Sequence, residues 1–465
     1  MPAASTAFGT GVAPPKSSVA SSTAAFSRSG HAVGAQDLAR PARRRPFWSL
    51  DYREARAHAI LAACALWLTA AALFSTHGAR LPTGPLKGAD FVHFYTLGYQ
   101  ARHGLQSDLY DATAQHALQT TLVPESAEDR YLPVYPPQIA VLMAPLASLA
   151  YGWAAVAWAL ITATVYGALV WITYRRHFAN RADPVFVVAA AAAFPPLWQL
   201  ILHGQTTVVA LVAFFLGGLA VERRKPFLAG LGFGLLAFKP QFGLALAVIV
   251  LARREWRMAA GAIVSAALQA GVVAWWLGWT VIADFAQTAW HLPSVAAQLE
   301  PKPYQLHSIK VLADLLPAPA STVAWLAVSA IVLFYAVRLW SPRFPAALRL
   351  GALVIATVLV SPHLTVYDLT VLVLPLLWLG GWVERKREAR PALGRAFWAC
   401  TYALFVVLLV PIAALIRLQP SVLILAGLFA LLVRASASAG IAASTSPNRP
   451  ARPATCPTRS IASTA

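Results

Sequence analysis

The feature that most restricts this chain is a succession of apolar segments, each long enough or nearly long enough to cross a lipid bilayer. The clearest lie at about 57–78, 152–173, 184–202, 205–222, 257–279, 321–340, 345–361, 366–383, 396–417 and 419–434. A hydrocarbon core of about 30 Å takes about 20 helical residues. Two shorter runs, about 226–238 and 240–252, meet at Lys239-Pro240 and read as a helical hairpin. Another, 138–149, follows Pro136-Pro137 and reads as a segment at the interface or dipping below it. Backbone polar groups in lipid must be satisfied within the segment. The expectation is therefore an all-α polytopic membrane protein of about 12 spans, within a range of 10 to 13. Charged residues make up only 12% of the chain, about half of what coats a soluble domain.

The charges that remain are unbalanced. Lys and Arg number 37 against 18 Asp and Glu, a net charge of +19. On a soluble chain this would suggest nucleic acid; here, no nucleic-acid partner is expected. Instead, the basic residues report orientation, because loops on the cytoplasmic side retain Lys and Arg. With the N-terminus placed inside and 12 alternating spans, 29 of the 37 basic residues fall on the cytoplasmic side, with 8 of the acidic ones. That side carries +21 and the other −2. Residues 1–56 read as a disordered basic cytoplasmic tail, and 435–465 as a second cytoplasmic tail of similar Ala/Ser/Pro/Arg composition. Cys64, Cys400 and Cys456 are far apart and read neither as a disulfide framework nor as a metal set.

The inside loops are short and basic. Two outside loops, about 79–137 and 280–320, are long, and chemistry is expected where the chain leaves the shortest path. The first opens with Gly88-Ala89-Asp90-Phe91-Val92-His93-Phe94-Tyr95. Phe91 to Arg102 reads as an amphipathic helix on the membrane surface, and Ser107 as the cap of a second helix. Tyr131-Leu132-Pro133-Val134-Tyr135-Pro136-Pro137 is a stiff extended stretch. Further polar groups fall at the outer ends of spans: His203-Gly204-Gln205 in a tight turn, Lys239 at the hairpin tip, and His363 before a span that carries Tyr367 and Asp368. Ionisable groups near hydrocarbon are costly and mark function or pairing. Taken singly, each has a local explanation, such as a snorkelling Lys239, a helix-capping His203 or a solvated Asp90. Their gathering on one side favours a shared site. A carboxylate there can accept a hydroxyl proton, and cations can steady a leaving phosphate, as sugar transfer from a lipid phosphate would require.

Other signals are missing or weak. No GxxxxGK[ST] loop, HExxH or Cys/His set occurs, so neither a nucleotide-hydrolysing loop nor a zinc site is expected. Gly230-Leu231-Gly232-Phe233-Gly234 lies inside an apolar segment without a preceding strand, and reads as close helix packing.

These residues resemble glycosyltransferase family 87, bacterial integral-membrane enzymes of the GT-C type. The resemblance rests on Asp90 to Tyr95, Gly104 with Leu109-Tyr110-Asp111, Tyr135-Pro136-Pro137, and Pro145-Leu146. It extends through Gly204-Gln205, Ala229-Gly230 to Lys239-Pro240, and His363 with Tyr367-Asp368, covering about residues 57–435. His307-Ser308 stands where the family pattern commonly has Asn. The resemblance implies a GT-C-like bundle in the bacterial inner membrane with its active site on the exoplasmic, periplasmic side. It implies a mannosyltransferase-like enzyme that takes a hexose from a polyprenyl-phosphate donor to a glycolipid or glycan acceptor, with inversion and with no cofactor or obligatory metal. Asp90 is the implied base or acceptor-orienting group; Lys239, His363 and Arg102 are candidates for the phosphate, and His203, Gln205, Tyr95, Tyr135, His307 and Asp368 for other substrate contacts. Two alternatives stand beside it. A transporter or flippase would show broken helices in corresponding halves, and a non-catalytic assembly subunit would use the long loops for docking.

Overall fold

The computed structural model describes residues 52–178, 181–299, 305–410 and 418–444. Residues 1–51 and 445–465, most of both expected tails, lie outside these, as do Lys302 and Arg417. All described residues belong to one unit, Asp51–Ala465.

The order of elements follows the apolar segments. Helix α1 (Tyr52–Phe74) starts before the expected boundary at 57. The first long loop holds α2 (Phe91–Arg102), α3 (Ala112–Leu122) and α4 (Gln138–Met143). Then come α5 (Tyr151–His177), α6 (Pro184–Ala192), α7 (Pro195–His203) and α8 (Val208–Glu222). The hairpin is α9 (Pro226–Gly234) and α10 (Leu244–Arg253), joined by short 3-10 turns on either side of Lys239. After α11 (Trp256–Leu277), the second long loop carries α12 (Trp279–Leu299) and α13 (Ile309–Ala313). The last helices are α14 (Ala320–Leu339), α15 (Ala346–Val360), α16 (Val373–Glu384), α17 (Pro391–Leu409) and α18 (Pro420–Ser444). Helix α18 runs past the expected tail boundary at 434. Among the described residues the only β-pairing is two isolated bridges. The chain is an all-α polytopic membrane protein.

Among the described residues, seven helices are long and apolar enough to span, or eight if α6 and α7 form one span bent by 43°. The bend falls at Pro195-Pro196, as removal of backbone donors by proline dictates. Four further apolar helices of 10–17 residues, Val208–Glu222, Pro226–Phe238, Pro240–Arg253 and Ala346–Val360, account for the rest of the 12 expected spans but are too short to cross by themselves. At least one of them lies in the protein interior. Nearly every residue of α15 is buried, and the following span, Val366–Glu384, is 83% buried against 6% for α1. A helix that is apolar all round is wrapped by protein at the centre and by lipid at the rim.

Two local readings of the first loop are corrected. Helix α2 is not a surface helix: Phe91 to Gly98, Gln100 and Ala101 are all buried. It packs against α4 and the turn that follows it, so it belongs to the bundle. Nor does Ser107 cap the next helix. Asp111 does, accepting from Thr113 N at 2.8 Å and Ala114 N at 3.0 Å; the chain at 106–108 makes only a 3-10 turn.

The glycine run is a packing surface. A Cβ on Gly232 would lie 2.6 Å from Gly217 N on α8, and one on Gly234 would lie 2.5 Å from Ser265 Cβ on α11. Helix α9 is thus wedged between two backbones that no larger side chain would admit. Gly232→Val is expected to destabilise the protein by about 3 kcal/mol, the upper end for overpacking. A melting curve in detergent checks this, and an unchanged midpoint would show that the helices part cheaply.

Candidate active site

The site begins with a close approach. Helix α7 ends at Gly204, whose φ of +63° is left-handed, the conformation glycine adopts freely at a helix end. A Cβ there would lie 2.5 Å from Phe91 Cβ. This contact lets the first-loop backbone bond to the end of α7: Gly88 N donates to Leu202 O and Asp90 N to His203 O, both at 3.0 Å. Asp90 therefore sits against the α7–α8 turn.

Gln205 then reaches Asp90. Its Nε2 donates to Asp90 Oδ2 at 2.7 Å, and Tyr135 Oη lies 3.4 Å from the same amide. Asp90 occupies the N-cap position of α2 but caps nothing with its side chain. It is half-buried, and Oδ1 has no hydrogen-bond partner among the described residues. One oxygen is oriented and the other is uncommitted, an arrangement suited to a base. Tyr135 packs edge-on against Phe94 at 4.8 Å. Burial, with the Asp90 charge next, pushes its phenol well above the ordinary value, so it remains a hydrogen-bond donor. Tyr131 donates to Ala89 O, fixing the peptide before Asp90.

Two residues beyond Gln205 a second group begins. Thr207 Oγ1 donates to Asp368 Oδ1 at 2.5 Å, and Lys239 Nζ donates to the same atom at 2.7 Å. Thr365 donates through N and Oγ1 to Oδ2, at 3.4 Å each. The Lys239 and Asp368 side chains are 5% and 0% exposed. The ammonium also lies 5.4 Å from the Tyr367 ring centre and 5.6 Å from that of Phe242. Asp368 occupies one of the three donors of Lys239, so this cation already has a counter-ion. The ring of His203 lies 5.7 Å from that of Tyr367, and its Nδ1 is 2.9 Å from Gln199 O.

A third group closes the cluster. His307 N donates to Leu364 O at 2.8 Å, beside the bridge between Leu306 and Thr365. Its Nδ1 lies 2.8 Å from Ser421 Oγ. His363, half-buried in the same turn, accepts from Ser361 Oγ through its carbonyl at 2.8 Å. Ser308 Oγ is buried with no hydrogen-bond partner among the described residues. Beside this group begins an apolar cavity of about 570 Å³, lined by Ile309, Leu312, Val328, Leu359, Val422 and Phe429 and reaching Arg434.

The fold thus brings together Asp90, Tyr135, His203, Gln205, Lys239 and Asp368, with His307 and His363 on the adjoining turn. It does not bring in two other candidates. Arg102 is exposed at the far end of α2, about 18 Å from the Asp90 end by helical rise. Tyr95 turns away to donate to Leu149 O at 2.8 Å and packs on Tyr151. Thr207, Thr365 and Ser421 were not singled out from sequence. The uninterrupted polar run Gln205-Thr206-Thr207 between two apolar helices was the available signal for the first.

Residues 134–362 match the family model described as glycosyltransferase family 87. The match takes in Tyr135, His203, Gln205, Thr207, Lys239 and His307, and ends before His363 and Asp368. No curated protein and no solved structure matches the chain.

Removing one partner of a buried ion pair leaves the other uncompensated, at a cost of about 3–5 kcal/mol, whereas replacing both by apolar groups is often near neutral. Asp368→Leu and Lys239→Met are each expected to lower the melting point sharply, and the double variant to recover most of the loss. A double variant as damaged as the sum would show that the two residues act independently. Acid should destabilise the protein for a related reason. Burial lowers His307 from 6.5 to about 3 and His93 from 6.5 to about 4. Both stay neutral when folded, while the unfolded chain takes up protons below 6.5. Stability is then complete above that pH and falls toward about 4, by up to about 1.4 kcal/mol per pH unit per histidine. In melting curves taken down this range, His307→Asn should flatten the dependence.

Proposed function

The chain belongs to glycosyltransferase family 87, and from that premise we propose that it transfers a hexose, mannose in the first instance, from a polyprenyl-phosphate donor to a glycolipid or glycan acceptor. The observation that carries this reading is the carboxylate of Asp90, held through Oδ2 by Gln205 at 2.7 Å with Oδ1 uncommitted, beside Tyr135 and the Lys239–Asp368 pair.

The acceptor hydroxyl gives its proton to Asp90 Oδ1 as its oxygen attacks the anomeric carbon. The bond from that carbon to the phosphate oxygen breaks on the opposite face, and the sugar inverts. Polyprenyl phosphate leaves with the bonding pair. Gln205 and the Gly88 and Asp90 backbone bonds to α7 keep the base in place, which is where enzymes of this kind draw much of their rate. His363 and the two remaining donors of Lys239 are the groups proposed to steady the leaving phosphate. The apolar cavity that starts beside Ser308 and Ser421 suits the isoprenoid chain. We place the site on the exoplasmic face of the cell membrane, on the evidence of the charge asymmetry. No resident metal or cofactor is part of the proposal.

Asp90→Asn tests it, because Asn still accepts from Gln205 and disturbs little else. With polyprenyl-phosphate mannose and a glycolipid acceptor, transfer is expected to fall about 10²–10⁴-fold, the span of general-base contributions, at an unchanged melting point. Undiminished transfer removes Asp90 from the role. If no lipid-phosphate sugar supports transfer while a lipid-linked solute crosses sealed vesicles, the transporter reading replaces this one.

A further inference from the structure

A second cavity lies at the opposite end of the bundle, lined largely by charged residues. Helix α5 begins at Tyr151, whose hydroxyl donates to Lys87 O at 2.8 Å beside the Asp90 loop. Its 27 residues rise about 40 Å and end at Arg175-Arg176-His177. There a cavity of about 560 Å³ is lined by Trp171, Tyr174, Arg175, Arg181, Asp183 and Arg387.

Its charges are not balanced from within. The single carboxylate, Asp183, is taken by Arg56 of α1, 2.7 Å away. Arg176, next in sequence, pairs with Glu222 at 2.8 Å instead. Among the described residues, no carboxylate lies within ion-pair distance of Arg175 or Arg181. Among the described residues Arg387 pairs only with Glu384, at 3.5 Å, with its own side chain 75% exposed, a weak pair in solvent. Burial and then the like charge of Arg181 lower Arg385, a sign that cations here are crowded. Two guanidinium groups therefore face the cavity uncompensated, with a third held loosely.

The walls indicate which anion fits. Arg175 lies 5.8 Å from the centre of the Trp171 ring. Trp171 is 45% exposed; Ile172, next to it on α5, and Val185 and Val188 of α6 are exposed too, and Pro184 at the start of α6 lines the same cavity. An arginine cluster bordered by tryptophan and exposed aliphatic groups matches a molecule that is anionic at one end and apolar at the other. The geometry points to a bound phospholipid with an anionic headgroup, its phosphate held by Arg175, Arg181 and Arg387 and its acyl chains along Trp171, Val185 and Val188. Guanidinium forks suit phosphate oxygens, and basic pockets between membrane helices take acidic headgroups. This site is separate from the sugar-transfer reading and stands whether or not that reading does.

The test uses the full chain purified in detergent. Native mass spectrometry counts lipids retained after addition of phosphatidylglycerol or phosphatidylcholine. Phosphatidylglycerol should be retained and phosphatidylcholine not. Arg175→Gln and Arg181→Gln should each weaken retention about fivefold, the share of one basic residue near a membrane surface, at an unchanged elution volume. Should one variant fail to fold, the other carries the comparison. Equal retention of the two lipids, or of phosphatidylglycerol by parent and variants, overturns the proposal. So does displacement of the lipid by inorganic phosphate at matched concentration, which would make this a site for a soluble anion.

Discussion

Lys239 and Asp368 lie 2.7 Å apart, both almost fully buried, and neither could hold its charge there alone. Desolvating either ion costs several kcal/mol, which only good geometry and further hydrogen bonds offset. Thr207 and Thr365 supply those bonds. The pair ties the tip of the short hairpin to the start of the most buried span, and Thr207 ties both to α8. These elements are remote in sequence, and the ion pair fixes their mutual register at the end of the bundle where the candidate site lies.

Much of the site's geometry is set by this arrangement. Because the α7–α8 turn is pinned on one side by Asp368, Gln205 can hold Asp90 on the other. The Asp90 loop also bonds directly to the end of α7, where Gly204 admits Phe91. On the far side, Thr365 and Leu364 lead to His307 and Ser421, where the apolar cavity begins. Polar contacts thus run without a long break from the carboxylate to the mouth of that cavity. The arginine-lined cavity at the other end shares no residue with this chain of contacts.

Reading the residues in order located the apolar helices well, because apolar length is imposed by the bilayer and not by neighbours, although seven or eight of the described helices, rather than about 12, are long enough to cross it. It served less well inside the first long loop. The segment from Phe91 to Ala101 has aromatic and polar residues in alternating clusters and passes for a surface helix, yet it is buried by α4 and the turn after it. Nothing local distinguishes a helix that meets lipid headgroups from one that meets protein. Ser107 and Asp111 are both good caps by type; only the path of the chain selected the second. Helices α8, α9, α10 and α15 fall short of a full span; α15 is moreover surrounded by protein, which residue type does not reveal.

Among the site candidates, Asp90, Gln205, Tyr135, His203, Lys239 and Asp368 stood out from sequence as polar groups at one rim of an apolar protein, and they do meet. Composition and segment length alone determined that the chain is a helical membrane protein, since few charges and many apolar runs leave no other way to satisfy its backbone. Which polar groups face one another was decided only by tertiary structure. Lys239 read alone is a free cation for a phosphate, whereas in the fold it has Asp368 as counter-ion. Arg102 read alone is near Asp90 in sequence, yet a full helix separates them. Partnership between charges depends on distances of a few ångströms, and only packing between elements far apart in the chain sets those distances.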